Sequence, residues 1–252
     1  MTSRIDVLVV LHNSKPLLTR FIESLRKISI PVTLYFLDND SADGTPEALA
    51  QALSDLPVQT HFVRSLRNNG FARGMNLLAR MGAGEYMFVL NPDTDMEEGA
   101  LETLVQKVDS DGRIGICEAR QSPREHPKSC DPVTGETTWC SGAAALIRRS
   151  AFQAIGGFDE SYVVGDFEDS DLCLKLRERG LGCAVDLDVR LCHLVRKSQP
   201  PAHERWRLNL TLYNAWLHHR RWAGAIAAAI EPAADKQTGG VEHDDGTGAI
   251  AG

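Results

Sequence analysis

Short apolar runs alternate with helix-like stretches along the first half of the chain. The apolar runs cover residues 5–11, 32–38, 58–65 and 85–91 and predict buried strands. Between them, apolar residues recur every three or four positions, which is the spacing of amphipathic helices. These stretches are KPLLTRFIESLRKI (15–28), TPEALAQALSDL (45–56), GFARGMNLLARMG (70–82) and EGALETLVQKV (98–108). The alternation predicts an α/β fold with a Rossmann-like, mostly parallel central sheet and helices on both faces.

The second half of the chain has a less regular pattern. We predict a strand over 113–120, a loop over 121–137, and a strand running into a short helix within 138–160. A helix over 169–180 and a strand over 183–194 follow. A last helix is predicted over 203–222, with an apolar stripe formed by Trp206, Leu210, Tyr213 and Leu217.

Composition and charge narrow the class of protein. No apolar run approaches the roughly 20 residues that a membrane-spanning helix needs, so we expect a cytoplasmic protein. A net charge of −7 argues against a general nucleic-acid binder. The six cysteines include no C-x-x-C pair, which favours reduced, buried thiols over a zinc site. Residues 231–252 are acidic and glycine-rich and poor in apolar residues, so we predict a disordered acidic tail.

Polar clusters follow each of the four predicted parallel strands. They are HNS (12–14), DNDSADGT (38–45), NNG (68–70) and NPDTD (91–95). Ligands of such sheets bind beyond the carboxyl ends of the strands. The sequence therefore predicts a ligand site at this edge of the sheet.

Two of these clusters carry carboxylates that allow more than one interpretation. Asp93 and Asp95 offer the hard oxygen ligands that suit Mg²⁺ or Mn²⁺, or they cap the helix that follows. Asp38 and Asp40 could accept hydrogen bonds from a nucleotide base or ribose, or they form a turn with a helix cap at Thr45. The second cluster also resembles the D-x-D motif of haloacid-dehalogenase-like phosphatases, with Asp38 as the nucleophile.

A third acidic group lies at the start of the helix predicted over 169–180. Asp169 precedes Leu172 and Leu176 by one and two turns, so it shares their inward face and is expected to face a pocket. Glu168, Asp169 and Asp171 would also complement the helix dipole. Three acids in four residues exceed what capping requires, which favours a functional role.

The motifs NNGFARGMN, FVLNPDTDM, WCSGAAALIRRSAF, GGFDE and FEDSDLCLKLRERG, in this order, resemble those of family 2 inverting glycosyltransferases. The similarity is strongest to the bacterial rhamnosyltransferase-like branch that builds cell-surface polysaccharides. The resemblance implies one GT-A domain over 1–222, with a nucleotide-binding half (about 1–112) and an acceptor or catalytic half (about 113–222). It also implies a nucleotide-sugar donor and a divalent cation, Mg²⁺ or Mn²⁺.

The resemblance assigns roles to individual residues. On the donor side it implies nucleotide-binding positions at Asp38, Asp40 and Asn69. Arg73 departs from the small residue common at its place in the family, and it would either reach the diphosphate as a further nucleotide-binding residue or be exposed to solvent. The metal would be held by Asp93, with Asp95 and His193 as further candidate ligands. Asp169 would be the catalytic base, and the acceptor-side positions would be Glu168, Trp139 and Gly142. The acceptor would be a saccharide or a polyprenyl-diphosphate-linked sugar. The alternative functions are the phosphatase built on Asp38 and Asp40, and a nucleotide-sugar-binding protein without catalysis.

Residues 193–222 carry six Lys or Arg residues against one Glu. This segment would either hold the enzyme peripherally at the inner face of the membrane, or form a solvated helix face with Trp206 and Trp216 packed on the core. The pattern favours the second interpretation. The same helix is also a candidate homodimer element.

Overall fold

The computed structural model of the chain describes residues 4–123, 125–194 and 205–230. Within these ranges the chain forms nine strands and seven α-helices. The strands are β1 (Ile5–Leu11), β2 (Val32–Asn39), β3 (Gln59–Ser65), β4 (Tyr86–Leu90), β5 (Thr94–Met96), β6 (Ile114–Ser122), β7 (Glu136–Thr137), β8 (Ala144–Arg148) and β9 (Gly182–His193). The helices are α1 (Leu18–Leu25), α2 (Thr45–Leu53), α3 (Gly70–Met81), α4 (Ala100–Ser110), α5 (Arg149–Ala154), α6 (Glu168–Glu178) and α7 (Arg205–Ile230).

All nine strands belong to one sheet, in the order β3-β2-β1-β4-β8-β6-β9-β5, with β7 paired to β9. Strands β1 to β4 are parallel, and β6 and β9 are parallel to each other. Strand β8 runs antiparallel between β4 and β6, so β6 and β9 point the same way as β4. The carboxyl ends of six strands and the start of β8 therefore lie at one edge of the sheet.

Each face of the sheet carries its own hydrophobic cluster. Along β1, Val7 and Val9 enter one cluster while Leu8 enters the other, because successive strand residues point to opposite faces. Helices α1, α2 and α4 cover the first face. Helices α3, α5 and α6 cover the second. The predicted α/β architecture, with a mostly parallel sheet and helices on both faces, is confirmed.

The chain departs from the sequence-based expectation directly after β4. There the NPDTD segment does not cap a helix. Instead, residues Thr94–Met96 form β5, which pairs antiparallel with β9 and aligns Thr94 with His193. Helix α4 begins later, at Ala100, after Gly99 in a left-handed conformation. The helix-cap interpretation of Asp93 and Asp95 is therefore wrong.

Helix α7 also differs from its expected orientation. Trp206 and Trp216 are about half exposed, so the expectation that they pack on the core is wrong. The face of α7 that is buried is largely polar, and it comprises Arg207, Asn214, His218 and Trp222.

Other sequence-based expectations concern thiols, membrane spans and the chain end. Cys117, Cys140, Cys173 and Cys183 are buried, and no cysteine of the described residues forms a disulfide. Among the helices in the described ranges, none combines the length and apolar character needed to cross a bilayer. The acidic tail predicted over 231–252 lies outside the described residues.

Candidate active site

Topology brings the predicted site residues to the shared edge of the sheet. Asp38 ends β2, Asp93 follows β4 and His193 ends β9. Two backbone contacts connect this edge to Asp169. The N–H of Asn91 donates to the carbonyl of Ala143 (2.8 Å), and the N–H of Gly142 donates to Asp169 Oδ2 (3.2 Å). The candidate metal ligand and the candidate base thus flank the junction between β4 and β8.

Asp93 and His193 form a buried pair. Asp93 Oδ1 lies 3.5 Å from His193 Nε2, and the carbonyl of Asp93 accepts from the N–H of Leu194 (2.9 Å). On its other side the imidazole Nδ1 lies 2.7 Å from Gln121 Oε1. The Gln121 oxygen can only accept, so it is the acceptor for an Nδ1 proton, and Nε2 faces Asp93.

This pair has the donor chemistry of a divalent cation site. A carboxylate suits Mg²⁺ and Mn²⁺, and a neutral imidazole with its second nitrogen hydrogen-bonded is the usual form of a ligating histidine. Within the described ranges, no three or more His, Cys, Asp or Glu side chains cluster closely enough to hold an ion. A cation here would therefore take its remaining ligands from substrate and water, as Mg²⁺ commonly does. Asp93 and His193 fit that arrangement.

Asp95 has a different environment from Asp93. Its Oδ1 lies 2.6 Å from Lys27 Nζ and its Oδ2 lies 3.0 Å from Arg20 Nε. Burial opposes ionisation, but the hydrogen bonds from the two cations outweigh it and lower the pKa of Asp95. Both carboxylate oxygens are thus occupied by α1 and the residues after it, which argues against the predicted metal-ligand role of Asp95.

Asp38 presents a free acceptor at the end of β2. The residue is 1% exposed, and its Oδ2 accepts a long hydrogen bond from the N–H of Ser41 (3.4 Å). Its Oδ1 is buried and has no hydrogen-bond partner among the described residues. A buried, unsatisfied carboxylate oxygen is costly unless a ligand supplies the donor. Asp40, by contrast, is exposed and adopts a left-handed backbone conformation (φ 68°).

The loop before α3 is ordered by amide side chains. Asn39 Oδ1 accepts from the N–H of Asn69 (2.9 Å), and Asn39 Nδ2 donates to Asn68 Oδ1 (3.0 Å). The side chain of Asn69 donates to Ser65 Oγ (2.7 Å), so in this state it supports the loop. Arg73 is about half exposed, and its Nε lies 3.4 Å from Glu160 Oε2.

Asp169 lies in the first turn of α6 and is partly exposed. Its Oδ1 accepts from the N–H of Ser170 (2.7 Å), and its Oδ2 accepts from Gly142. Burial raises the pKa of Asp169 to about 6, although the two N–H donors act in the opposite direction. Gly142 also packs closely on Phe71, where a Cβ would lie 3.2 Å from the ring. The two N–H donors fix the orientation of the carboxylate.

Glu168, the neighbour of Asp169, is buried more deeply. Its Oε2 has no hydrogen-bond partner among the described residues. Burial, and then the charge of Asp169, raise the pKa of Glu168 well above its usual range. Two adjacent carboxyl groups therefore differ in character: Glu168 favours the neutral form, and Asp169 ionises near pH 6.

The turn over residues 163–167, which precedes α6, is strained. Three of its residues have left-handed backbone angles without being glycine: Val164 (φ 67°), Asp166 (φ 82°) and Phe167 (φ 74°). The turn packs on the start of α3, where the N–H of Phe71 donates to the carbonyl of Val164 (2.9 Å). At Gly70 a Cβ would lie 3.0 Å from the Val164 nitrogen, so this contact requires a glycine.

Asn214 of α7 holds the strained turn in place. Its fully buried amide donates to the carbonyls of Val163 and Gly165 (both 2.9 Å), and its Oδ1 accepts from the N–H of Val163 (3.0 Å). Neighbouring side chains on the same face add an ion pair between Arg207 and Asp166 (2.7 Å). Such external contacts are what a strained conformation needs to persist.

Further along α7, the same face contacts the start of α6. His218 Nε2 lies 3.0 Å from Ser170 Oγ, and Trp222 Nε1 donates to Asp171 Oδ1 (2.9 Å). Helix α7 thus contacts residues on both sides of Asp169.

The segment containing Trp139 and Gly142 rests on a buried ion pair. Lys128 Nζ lies 2.5 Å from Glu118 Oε1 and 4.1 Å from the centroid of the Trp139 ring. Glu118 also accepts from the N–H of Ser141. A cavity of about 390 Å³ opens beside this pair, with Gln121 in its lining. Since Gln121 also binds His193, the cavity lies next to the candidate metal site.

Several of these residues were not identified from the sequence. Gln121 and Lys128 fall in a segment predicted as a loop and give no periodic signal. Glu118 interrupts an apolar strand, and Asn214 interrupts an apolar helix pattern. Those two interruptions are the only signals that could have suggested a role.

The site lies at the carboxyl edge of a doubly covered, mostly parallel sheet, which is where α/β proteins bind their ligands. The family model described as "Glycosyl transferase family 2" matches residues 6–168, and the chain belongs to this family. The chain is thus a family 2 glycosyltransferase, and the phosphatase interpretation of Asp38 and Asp40 is wrong. A curated relative is the N-acetylglucosaminyl-diphospho-decaprenol L-rhamnosyltransferase of Mycobacterium tuberculosis. It is 28% identical over 228 residues, covering 71% of this chain and 72% of the relative.

Solved structures show the same fold. A mannosyltransferase from Pyrobaculum calidifontis, in complex with GDP-Man and Mn²⁺, aligns with a TM-score of 0.66 at 20% identity, covering 92% of this chain and 76% of that one. TarS of S. aureus, in complex with UDP, aligns with a TM-score of 0.63 at 14% identity, covering 94% and 78%. The predicted GT-A fold is therefore confirmed.

Proposed function

We propose that this enzyme transfers a sugar, with inversion, from a nucleoside-diphosphate donor to a hydroxyl group of a lipid-linked saccharide. The observation that carries the proposal is Asp169: a partly exposed carboxylate with a pKa of about 6, fixed by two backbone N–H groups at the same sheet edge as the Asp93–His193 pair. A general base works best when its pKa lies near the operating pH.

The acceptor half of the reaction requires one proton transfer. The acceptor oxygen forms a bond to the anomeric carbon, and its proton moves to a carboxylate oxygen of Asp169. The bond between the anomeric carbon and the diphosphate oxygen breaks on the opposite face of the sugar, so the configuration inverts. A direct displacement of this kind needs one base, whereas glycoside hydrolysis uses a pair of carboxyl groups. The neutral character of Glu168 agrees with a single ionised base.

On the donor side, Asp38 would bind the nucleotide, and Asp93 with His193 would bind the cation. The unsatisfied Oδ1 of Asp38 would accept a hydrogen bond from the nucleotide base or ribose. Asp93 and His193 would hold a divalent cation, which when bound would neutralise charge on the diphosphate. The mannosyltransferase neighbour crystallised with Mn²⁺ supports this reading, and the imidazole favours Mn²⁺ over Mg²⁺. Asp95 takes no part.

The acceptor proposal rests on the curated relative and on the cavity beside Trp139. That relative acts, by its name, as a rhamnosyltransferase of N-acetylglucosaminyl-diphospho-decaprenol. The cavity of about 390 Å³, lined by Glu118, Gln121, His126 and Lys128 among others, is large enough for one sugar unit and offers charged and amide groups to its hydroxyls. We infer dTDP-rhamnose or a UDP-sugar as the donor, in cell-surface polysaccharide synthesis.

A two-stage assay tests the proposal. Nucleotide sugars are first screened for thermal stabilisation of the enzyme with Mn²⁺ and with EDTA, and the stabilising donors are then incubated with an N-acetylglucosaminyl-diphospho-lipid. We expect metal-dependent stabilisation by one donor, and a product whose anomeric configuration, measured by NMR, is opposite to that of the donor. Retention of configuration would overturn the single-base mechanism. Stabilisation without turnover on any lipid-linked saccharide would favour a binding protein that lacks catalysis.

A further inference from the structure

The outward face of α7 carries a row of large apolar side chains. Five of them are between 44% and 59% exposed: Trp206, Leu208, Leu212, Tyr213 and Trp216. Their spacing places them on one side of the helix, opposite Asn214 and Trp222. The rings of Tyr213 and Trp216 lie 6.1 Å apart and form one aromatic patch within this row. We call this surface the outer face of α7.

Positive charge accompanies the outer face. Arg205 and Arg220 are exposed, and the guanidinium of Arg220 lies 5.4 Å from the centroid of the Trp216 ring. Residues 205–230 contain four arginines and no acidic residue, although the whole chain has a net charge of −7. Two of the four, Arg207 and Arg221, pair with aspartates on the inner side of the helix, so the positive charge of the outer face comes from Arg205 and Arg220.

We propose that the outer face of α7 docks the enzyme on an anionic lipid bilayer. Helices that lie in the membrane interface combine Trp and Leu on one side with arginine on its flanks, and their binding depends on anionic lipids. Tryptophan and tyrosine favour the headgroup region because their rings are apolar and their tips are polar. A second copy of this chain is the less suitable occupant, because it would bring Arg205 and Arg220 against their own counterparts.

The position of the outer face relative to Asp169 indicates what membrane docking would do for the reaction. This step of the inference rests on the proposed lipid-linked acceptor. The opposite face of α7 binds the 163–167 turn through Asn214, and binds Ser170, the residue after Asp169, through His218. An α-helix with side chains is about 10–12 Å across. A docked α7 would thus hold the candidate base roughly one helix diameter from the lipid surface, where a sugar on a membrane-anchored diphosphate is presented.

Vesicle binding by the full chain tests the proposal without donor or acceptor. The wild type and two variants are sedimented with phosphatidylcholine vesicles that contain or lack phosphatidylglycerol. Leu212→Glu places an acid on the outer face. Val133→Glu is the matched control, because Val133 is 84% exposed and lies in the loop between β6 and β7, where the carbonyl of Thr134 contacts α4. Thermal unfolding checks that both variants fold.

We expect the wild type and Val133→Glu to bind the anionic vesicles, with a blue shift of tryptophan emission, and Leu212→Glu to bind about tenfold or more weakly. Absence of wild-type binding to the anionic vesicles would overturn the proposal, as would equal binding by the two variants. A chain that fails to bind vesicles and dimerises, with Leu212→Glu monomeric, would make the outer face a contact between copies instead.

Turnover assays distinguish a failure of the docking proposal from a failure of the proposed function. All three proteins should turn over a water-soluble acceptor at the same rate, and only Leu212→Glu should slow on a vesicle-embedded acceptor. Vesicle binding without any turnover would overturn the proposed function and leave the docking surface intact. Equal turnover of the vesicle-embedded acceptor by both variants would overturn the role given to docking.

Discussion

The two halves of the molecule hold their functional groups in different ways. In the N-terminal half (residues 4–112), Asp38 and Asn39 are the last two residues of β2 and form hydrogen bonds with nearby loop residues. In the C-terminal half (residues 113–230), Asp169 follows a strained turn that α7 holds through Asn214, 45 residues further along the chain. Strand topology thus positions the residues of the proposed donor side, whereas the proposed base depends on a helix that is distant in sequence.

This difference predicts where substitutions act. On the donor side, a change should weaken binding of donor or metal while leaving the fold intact. On the acceptor side, a change should alter catalysis, and the positioning of the base should be coupled to the stability of α7. The four predictions that follow test this division, from the largest expected effect to the smallest.

The largest effect is expected at the base itself. Asp169→Asn should lower kcat by about 10²- to 10⁴-fold, because the acceptor proton loses its destination. Donor affinity, measured by calorimetry with Mn²⁺ present, should stay unchanged. A loss smaller than tenfold in kcat would remove Asp169 from the chemical step.

The pH dependence of the wild type sharpens this result. Burial raises the pKa of Asp169 to about 6, and the residue must be ionised to accept a proton. Activity should therefore be complete above about pH 7 and fall roughly tenfold per unit as the pH drops below 6. A profile that stays flat down to pH 5 would contradict the assignment.

The second prediction concerns the coupling to α7. Asn214→Ala leaves one N–H and three carbonyls of the 163–167 turn without this partner, so it should lower the free energy of unfolding by about 1–3 kcal/mol. The folded variant should also show a lower kcat with unchanged donor affinity. Asn209→Ala, an exposed position on the same helix, is the control and should change stability by less than about 0.5 kcal/mol.

If Asn214→Ala and Asn209→Ala unfold at the same denaturant concentration, the turn does not depend on α7. A loss of stability without any loss of kcat would mean that Asn214 supports the fold but does not position the base.

The third prediction concerns the donor side. Gln121→Leu removes the acceptor of the His193 Nδ1 proton while keeping a similar volume. The Mn²⁺ concentration needed for half-maximal donor binding should rise by about 10- to 100-fold, as is typical when the partner of a ligating histidine is lost. Gln51→Leu, on the exposed side of α2, should leave it unchanged. An unaltered Mn²⁺ requirement in Gln121→Leu would exclude His193 as a ligand.

The smallest effect is expected at Asp95. Its two partners are surface cations, so Asp95→Asn should cost less than about 1 kcal/mol in unfolding free energy. Metal-dependent donor binding should be unaffected, whereas Asp93→Asn should abolish it. A loss of metal dependence in Asp95→Asn would show that both carboxylates serve the cation.

Local sequence patterns were sufficient to predict most of the fold and part of the candidate site. The apolar runs that became β1 to β4 end at the positions where Asp38 and Asp93 lie, and the topology of a parallel sheet then brings those ends together. The position of Asp169 in the first turn of α6 could be predicted because its helical spacing shares a face with Leu172 and Leu176, whereas its role as base stays a prediction.

Non-local contacts explain what could not be predicted. Strand β5 is three residues long and exists because β9 pairs with it. The environment of Asp95 depends on Lys27, which is 68 residues away. The apolar stripe of α7 suggested a core-facing side, but hydrogen bonding to the 163–167 turn outweighs apolar burial in orienting this helix. Hydrophobic periodicity in the sequence does not reveal which face of a helix will be buried by hydrogen bonds of this kind.

The reversed polarity of α7 has a practical consequence for protein engineering. A design procedure that fills buried positions with aliphatic residues would replace Asn214 and His218. It would remove the hydrogen bonds that hold the 163–167 turn and the start of α6. A procedure that replaces exposed Trp206, Leu212 and Trp216 with polar residues would improve solubility and leave the fold intact. Efforts to obtain a better-behaved sample of this enzyme should therefore alter the outer side of the helix and preserve its inner one.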